Sequence, residues 1–310
     1  MDRTQFKALT RRNDALALLH LTIRCLFHIL LIGGANQLFE GRRDLLGALL
    51  LVPHFCMWSF LGWAGLGHEL FHRTVFSNPG ANTVMFRLCS ILTWSNFGFF
   101  EISHPIHHRH TLGPEDVEVD PRGRMTGAQL MGALTFDAPG FVRRLRLLGL
   151  NAVGTIPGGA AIQTLVPAGS AERRRVRDGA RWVLGSQVLM AAAFVAAGHP
   201  AWIVEICLAP FFCTFVNRTL AALQHHGLAP DAAAGDYRAS TRTVRLDPVL
   251  TFFYAAMNFH LEHHHYPSVP YYNLPKLQRL MGDPSDRDSA GGYLRALKVL
   301  VRNGYFDLPG

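Results

Sequence analysis

Apolar positions along the chain gather into long runs, and four of them approach the roughly 20 residues that a helix needs to cross a bilayer. They cover about residues 15–32, 45–65, 182–197 and 202–222. The runs form two hairpins, the first closed by residues 33–44 and the second by only Gly198, His199, Pro200 and Ala201. Trp182 and Trp202 stand at span ends, where an amphipathic indole prefers the headgroup layer. The third run is the shortest and is rich in Ala. Pro53 and Pro210 fall inside runs and predict kinks that membrane helices tolerate. A fifth run, 84–100, contains Arg87, Asn96 and Gly98, which suits an interfacial or re-entrant helix better than a span. The pattern therefore predicts an all-α integral membrane protein: a four-span helical bundle with a cap on one side, forming a single domain over 1–310.

Composition supports lipid as part of the solvent. Apolar residues make up 49% of the 310 positions and charged residues only 17%, below the usual quarter. The net charge of +8 is carried almost wholly by arginine, since lysine occurs only at Lys7, Lys276 and Lys298. The arginines border the apolar runs, so they read as membrane-proximal charge, with no nucleic acid as partner. Arg3, Lys7, Arg11 and Arg12 precede the first run, and Arg143, Arg144, Arg146, Arg173, Arg174, Arg175 and Arg177 fill the long middle segment. The positive-inside bias then places both termini and residues 68–181 in the cytoplasm, as in a multi-pass protein of a bacterial inner membrane. The first run has no small-residue cleavage site after it and reads as a retained anchor. Within it, His20, Arg24 and His28 form one polar stripe, expected to face a neighbouring span or to snorkel towards the cytoplasm. The five cysteines are scattered singly through apolar stretches, with no CxxC pair, which excludes an iron–sulfur module and a disulfide framework.

Histidine changes the picture most. The chain holds 16, mostly in tight groups. His68-Glu69-Leu70-Phe71-His72 is an HxxxH pattern at the end of the second run. Spacing of four puts both imidazoles on one helix face, one turn apart. His104-Pro105-Ile106-His107-His108 and His260-Leu261-Glu262-His263-His264 are both HxxHH. Three and four are both one-turn spacings, so His104 can share a face with His107 and His108. Pro105 suits the first turn, which predicts a helix starting at His104. His225, after the fourth run, adds another imidazole. Imidazole suits iron, copper, zinc and nickel. Nine imidazoles are too many for one tetrahedral ion, whereas two metals with four or five ligands each would use them. Neutral ligands leave a divalent ion poorly compensated, so carboxylates are expected behind them: Glu69, Glu262 and the run Glu115–Asp120, from which Asp116 and Asp120 are the candidates.

The boxes HELFH, HPIHH and HLEHH, in this order, resemble those of the membrane fatty acid desaturase and hydroxylase superfamily. The stretch Asn258 to Pro275, with Tyr266-Pro267-Ser268-Val269-Pro270 after the third box, is similar to acyl desaturases. So are His107 to Asp120 after the second box and Leu223-Gln224-His225 after the last run. The likeness covers about 45–120 and 200–280; residues 125–181 carry none of these motifs. It implies two non-haem iron ions at the cytoplasmic mouth of the bundle, bound by His68, His72, His104, His107, His108, His225, His260, His263 and His264. It further implies dioxygen as co-substrate and removal of two hydrogens from an acyl chain carried by a lipid, CoA or a carrier protein. The absence of an HPGG haem segment and of ferredoxin cysteines points to a separate electron donor: a ferredoxin, rubredoxin or b-type cytochrome with its reductase. A basic cytoplasmic face would steer an acidic one.

Three departures matter. Ala221 stands four before His225, where stearoyl-CoA desaturases have asparagine; His265 replaces the usual apolar residue after the third box; and HELFH is reminiscent of alkane hydroxylases. A hydroxylase or carotenoid ketolase is therefore the alternative outcome of the same chemistry. A metal transporter would instead place its histidines within the spans near the midplane. A single-zinc hydrolase would leave most boxes unused.

Overall fold

A computed structural model describes residues 2–230, 235, 237–282 and 292–307. Among the described residues the protein is mainly helical, with one parallel pair of short strands, Met125–Thr126 beside Phe306–Asp307. Among the described residues, three stretches are long and apolar enough to cross a membrane: Arg3–Glu40, Asp44–Phe71 and Ala171–Ala196.

The first two form a helical hairpin. Asn13 caps the Asp14–Glu40 helix by accepting the Leu16 amide at 3.1 Å, and Arg42, in the left-handed region at φ 59°, turns the chain into the Asp44–Trp58 helix. The pair approach closely where side chains are small: a Cβ on Gly47 would meet the Phe39 ring at 2.5 Å. Their outer faces present Leu18, Ile23, Leu30, Leu45 and Leu49, as lipid-facing surfaces do.

The polar stripe turns inward. Arg24 is 1% exposed, donates to the Phe252 carbonyl and lies with its guanidinium 4.2 Å from the Phe252 ring centre. His28 Nδ1 is 3.0 Å from His54 Nδ1 on the second helix, and His54 Nε2 donates to the Glu205 carbonyl at 2.7 Å. Of the two expectations for this stripe, packing against a neighbour is the one realised; buried polar groups find partners because leaving them bare is costly.

Two expected elements are broken. The run 202–222 is not one helix but a π-helical turn (Ile203–Cys207), a 3₁₀ turn (Ala209–Phe211) and the Phe215–His225 helix. Pro210 cannot donate, Cys213 adopts φ 49°, and the freed backbone pairs elsewhere: the Asp137 amide with the Phe211 carbonyl and the Cys213 amide with the Thr135 carbonyl, both at 2.8 Å. Likewise 84–100 becomes two helices, Pro79–Leu92 and Phe97–Arg109. Trp94 breaks them at φ 53°, with its indole N–H donating to the Cys207 carbonyl. Asn96 then caps the second helix and ties it to the Val176 carbonyl at 2.9 Å.

That second helix carries the middle box. It begins seven residues before His104, not at it, so Pro105 lies inside the helix. The Asn96 cap and the buried Phe97 and Phe100 outweigh the one hydrogen bond that Pro105 cannot make. The helix meets the Ala171–Ala196 helix at Gly98, where a Cβ would stand 2.2 Å from the Arg175 carbonyl oxygen. Apolar clusters around Leu66, Leu70, Phe86 and Phe100, and around Phe60, Leu223, Tyr254 and Met257, support the boxes from below.

Candidate metal centre

All nine histidines singled out in the sequence converge, in two groups. His68, His72, His104, His108 and His263 form one; His107, His225, His260 and His264 form the other, and within each the ring nitrogens lie within 4.8 Å of one another. The groups adjoin, with the His108 and His264 rings stacked at 4.3 Å.

The nitrogens that face one another are almost all Nε2. His68 lies 2.9 Å from His263 and 3.0 Å from His104; His72 and His108 lie 3.1 and 3.0 Å from His104. In the second group His260 is 2.9 Å from His225 and 3.1 Å from His264. The other ring nitrogens are held from behind. His68 Nδ1 donates to the Trp63 carbonyl at 3.0 Å and His225 Nδ1 to the Ser240 carbonyl at 2.8 Å. His104 Nδ1 donates to Glu118 and His107 Nδ1 to Asp116, both at 2.9 Å. His263 Nδ1 is also 2.9 Å from Glu69 Oε1, though without the alignment of a hydrogen bond.

These outer contacts decide the tautomer. With their protons on Nδ1, His68 and His104 present two bare Nε2 lone pairs to each other at 3.0 Å. Protonation does not relieve the repulsion, because burial first, and the neighbouring imidazoles second, hold His104 well below the usual imidazole range; His72, His225 and His263 are pushed down to about 3 by burial. A cation does relieve it. Imidazole–metal bonds of about 2.0–2.1 Å set neighbouring nitrogens about 3 Å apart when they meet near a right angle. The donor set therefore fits metal ions held by neutral imidazoles.

The carboxylates divide in their behaviour. Burial opposes ionisation of Asp116, yet His107 and the amides of Glu118 and Leu112 together hold its carboxyl below the usual range. Glu118, with burial dominant, is raised to about 7. Glu118 also accepts the Ser103 hydroxyl. Glu262 accepts the Thr243 hydroxyl. Among the described residues no hydrogen bond or ion pair joins Asp120 to the nine rings; its side chain closes the 120–123 turn by accepting the Arg122 amide at 2.9 Å. Glu118 takes the place expected for it, two residues earlier. Nothing local marked the Ser240 or Trp63 carbonyls, which are brought in by the fold.

A cavity of about 850 Å³ reaches His68, His104, His107, His225 and His260, and its wall includes the apolar side chains of Trp63, Phe100 and Phe211. The broken segment contributes Pro210, Phe211 and Thr214 to this wall.

Comparison with curated proteins finds no match. The sequence profile of the fatty acid desaturase family matches residues 45–291, most of the chain and all three boxes, so the protein belongs to that family.

Proposed function

We propose that this protein is a membrane-bound fatty acyl desaturase whose nine histidines hold two iron ions. The facing, unprotonated Nε2 atoms carry the metal part of this reading. When bound, the irons would activate dioxygen as the oxidant for an unactivated C–H bond. In balance, one –CH2–CH2– unit, dioxygen, two electrons and two protons give one double bond and two waters. The chain's own residues do the positioning. Asp116, Glu118 and the Trp63 and Ser240 carbonyls lock four rings in one tautomer. The apolar wall at Trp63, Phe100 and Phe211 can hold an acyl chain and keep water away. Electrons come from a separate protein.

The tail of the third box, with Tyr266-Pro267 and Tyr271-Tyr272, is similar to that of acyl desaturases and supports desaturation over hydroxylation. That tail is well anchored: the Tyr272 hydroxyl accepts the Asn13 amide at 2.7 Å, Asn273 donates to the Leu9 carbonyl at 2.7 Å, and the Tyr271 hydroxyl lies 2.9 Å from His20 Nδ1. Expression with a compatible reductase, followed by mass spectrometry of total acyl chains, tests this. The expected species lacks two hydrogens and is absent with His263→Ala. A product that has only gained an oxygen atom would instead establish a hydroxylase, the outcome that HELFH brings to mind.

We also propose a multi-pass protein with its site on the cytoplasmic face of a bacterial inner membrane, following the arginine bias. In a background without native cysteines, labels at 77, 122 and 174 are expected to react from the cytoplasm and labels at 38 and 199 from the other side. Position 285, expected with the first set, lies outside the described residues. Reaction of 77 and 122 from opposite faces would sink the assignment.

A further inference from the structure

The cavity that reaches the histidines is also lined by Arg124, Arg143 and Arg144. Arg143 and Arg144 are successive residues of the Ala138–Ala152 helix. Every carboxylate on the same wall is already engaged. Asp137 takes the Arg218 guanidinium and caps the helix through the Gly140 amide at 3.0 Å. Glu118 holds Ser103 and His104, and Asp120 closes its turn. Among the described residues, the guanidinium groups of Arg124, Arg143 and Arg144 have neither a hydrogen bond nor an ion pair.

Arg144 is the telling one. It is half-buried against the cavity, whereas Arg143 and Arg124 on the same wall are exposed. Burial, and Arg143 beside it, hold its guanidinium below the usual range. A cation withdrawn from bulk water next to a like charge, with no carboxylate in reach, is costly unless an anion joins it. A guanidinium also presents a planar fork of donors that matches phosphate and carboxylate oxygens.

We propose that Arg143 and Arg144, with Arg124 on the same wall, bind the anionic end (a phosphate or a carboxylate) of an amphiphile whose alkyl chain runs into the cavity. The ligand class is an anionic amphiphile and not a neutral hydrocarbon or alcohol. The fate of the chain rests on the desaturase reading; the binding does not.

The purified full-length protein in a neutral maltoside detergent can be titrated calorimetrically with dodecyl phosphate, dodecanoate and dodecanol. Both anions, or whichever of the two headgroups the site prefers, are expected to bind more tightly than dodecanol by about tenfold or more, the scale of one charge-assisted contact. The R143Q/R144Q double variant should lose that preference while leaving dodecanol binding and iron content unchanged, and R144K should retain most of it. The phosphate and carboxylate arms identify the headgroup. Wild-type anion affinity in the double variant, or dodecanol binding as tightly as both anions, would overturn the site. An anion preference without any acyl product in the mass-spectrometric test would keep the site and remove the desaturase reading.

Discussion

Iron analysis of the purified protein is expected to return two ions per chain, and His260→Ala to lower this to about one while abolishing turnover. The asymmetry of the two groups is the reason. His260 belongs to the group of four, where its loss leaves three imidazoles; His72 belongs to the group of five, where its loss leaves four. His72→Ala should therefore retain close to two irons when iron is in excess, yet also lose turnover, because a changed ligand set alters the oxidant's position against the substrate. His199→Ala is the control: its ring stacks on Trp202 at 4.3 Å, away from both groups, and it should change neither quantity. One zinc and no iron in the wild-type protein would refute the proposal at its root.

The second large effect is expected from a residue with no chemistry. Gly98→Ala places a methyl group 2.2 Å from the Arg175 carbonyl oxygen, and backbone cannot swing aside as a side chain does. The Phe97–Arg109 helix must then draw away from the Ala171–Ala196 helix, at the cost of about 1–3 kcal/mol typical of overpacking. Because this helix carries His104, His107 and His108, both metal groups should loosen together. Thermal unfolding in detergent and iron content measure the two consequences. Gly149→Ala, in the Ala138–Ala152 helix with nothing within 4 Å of its new Cβ, should instead gain up to about 1 kcal/mol from helix propensity. Equal stability and iron content in wild type and Gly98→Ala would show that the contact is not tight.

Hydrophobic runs located the two long helices of the first hairpin and the apolar part of Ala171–Ala196, because lipid contact needs a continuous apolar surface. The same signal does not show the breaks within 202–222, read as one span, or within 84–100, read as one interfacial or re-entrant helix. Apolar composition does not mark where a helix stops, nor does it distinguish burial in protein from exposure to lipid: Cys207, Ala209 and Phe211 are buried while Val84, Leu88 and Val204 are exposed. What breaks these runs, the left-handed turns at Cys213 and Trp94, depends on distant partners at Thr135 and Cys207.

The histidines divide in the same way. Sequence by itself determined the pairs. His68 and His72, His104 and His108, and His260 and His264 are each four apart, about 40° around a helix, and each pair shares one group. It also determined that His107 and His108, and His263 and His264, point apart, since neighbours in a helix differ by about 100°. His104 accordingly shares its group with His108 and not with His107, a distinction that treating spacings of three and four alike cannot make. Tertiary structure alone decided the exchange between boxes. His263 leaves its own pair to join His68, His72, His104 and His108, and His107 crosses to His225, His260 and His264. Periodicity fixes directions within one helix, but which direction meets which depends on how the four helices that carry these histidines dock. That docking is set by contacts such as Gly98 on Arg175, Asn96 on Val176 and Tyr272 on Asn13, each joining residues far apart in the chain.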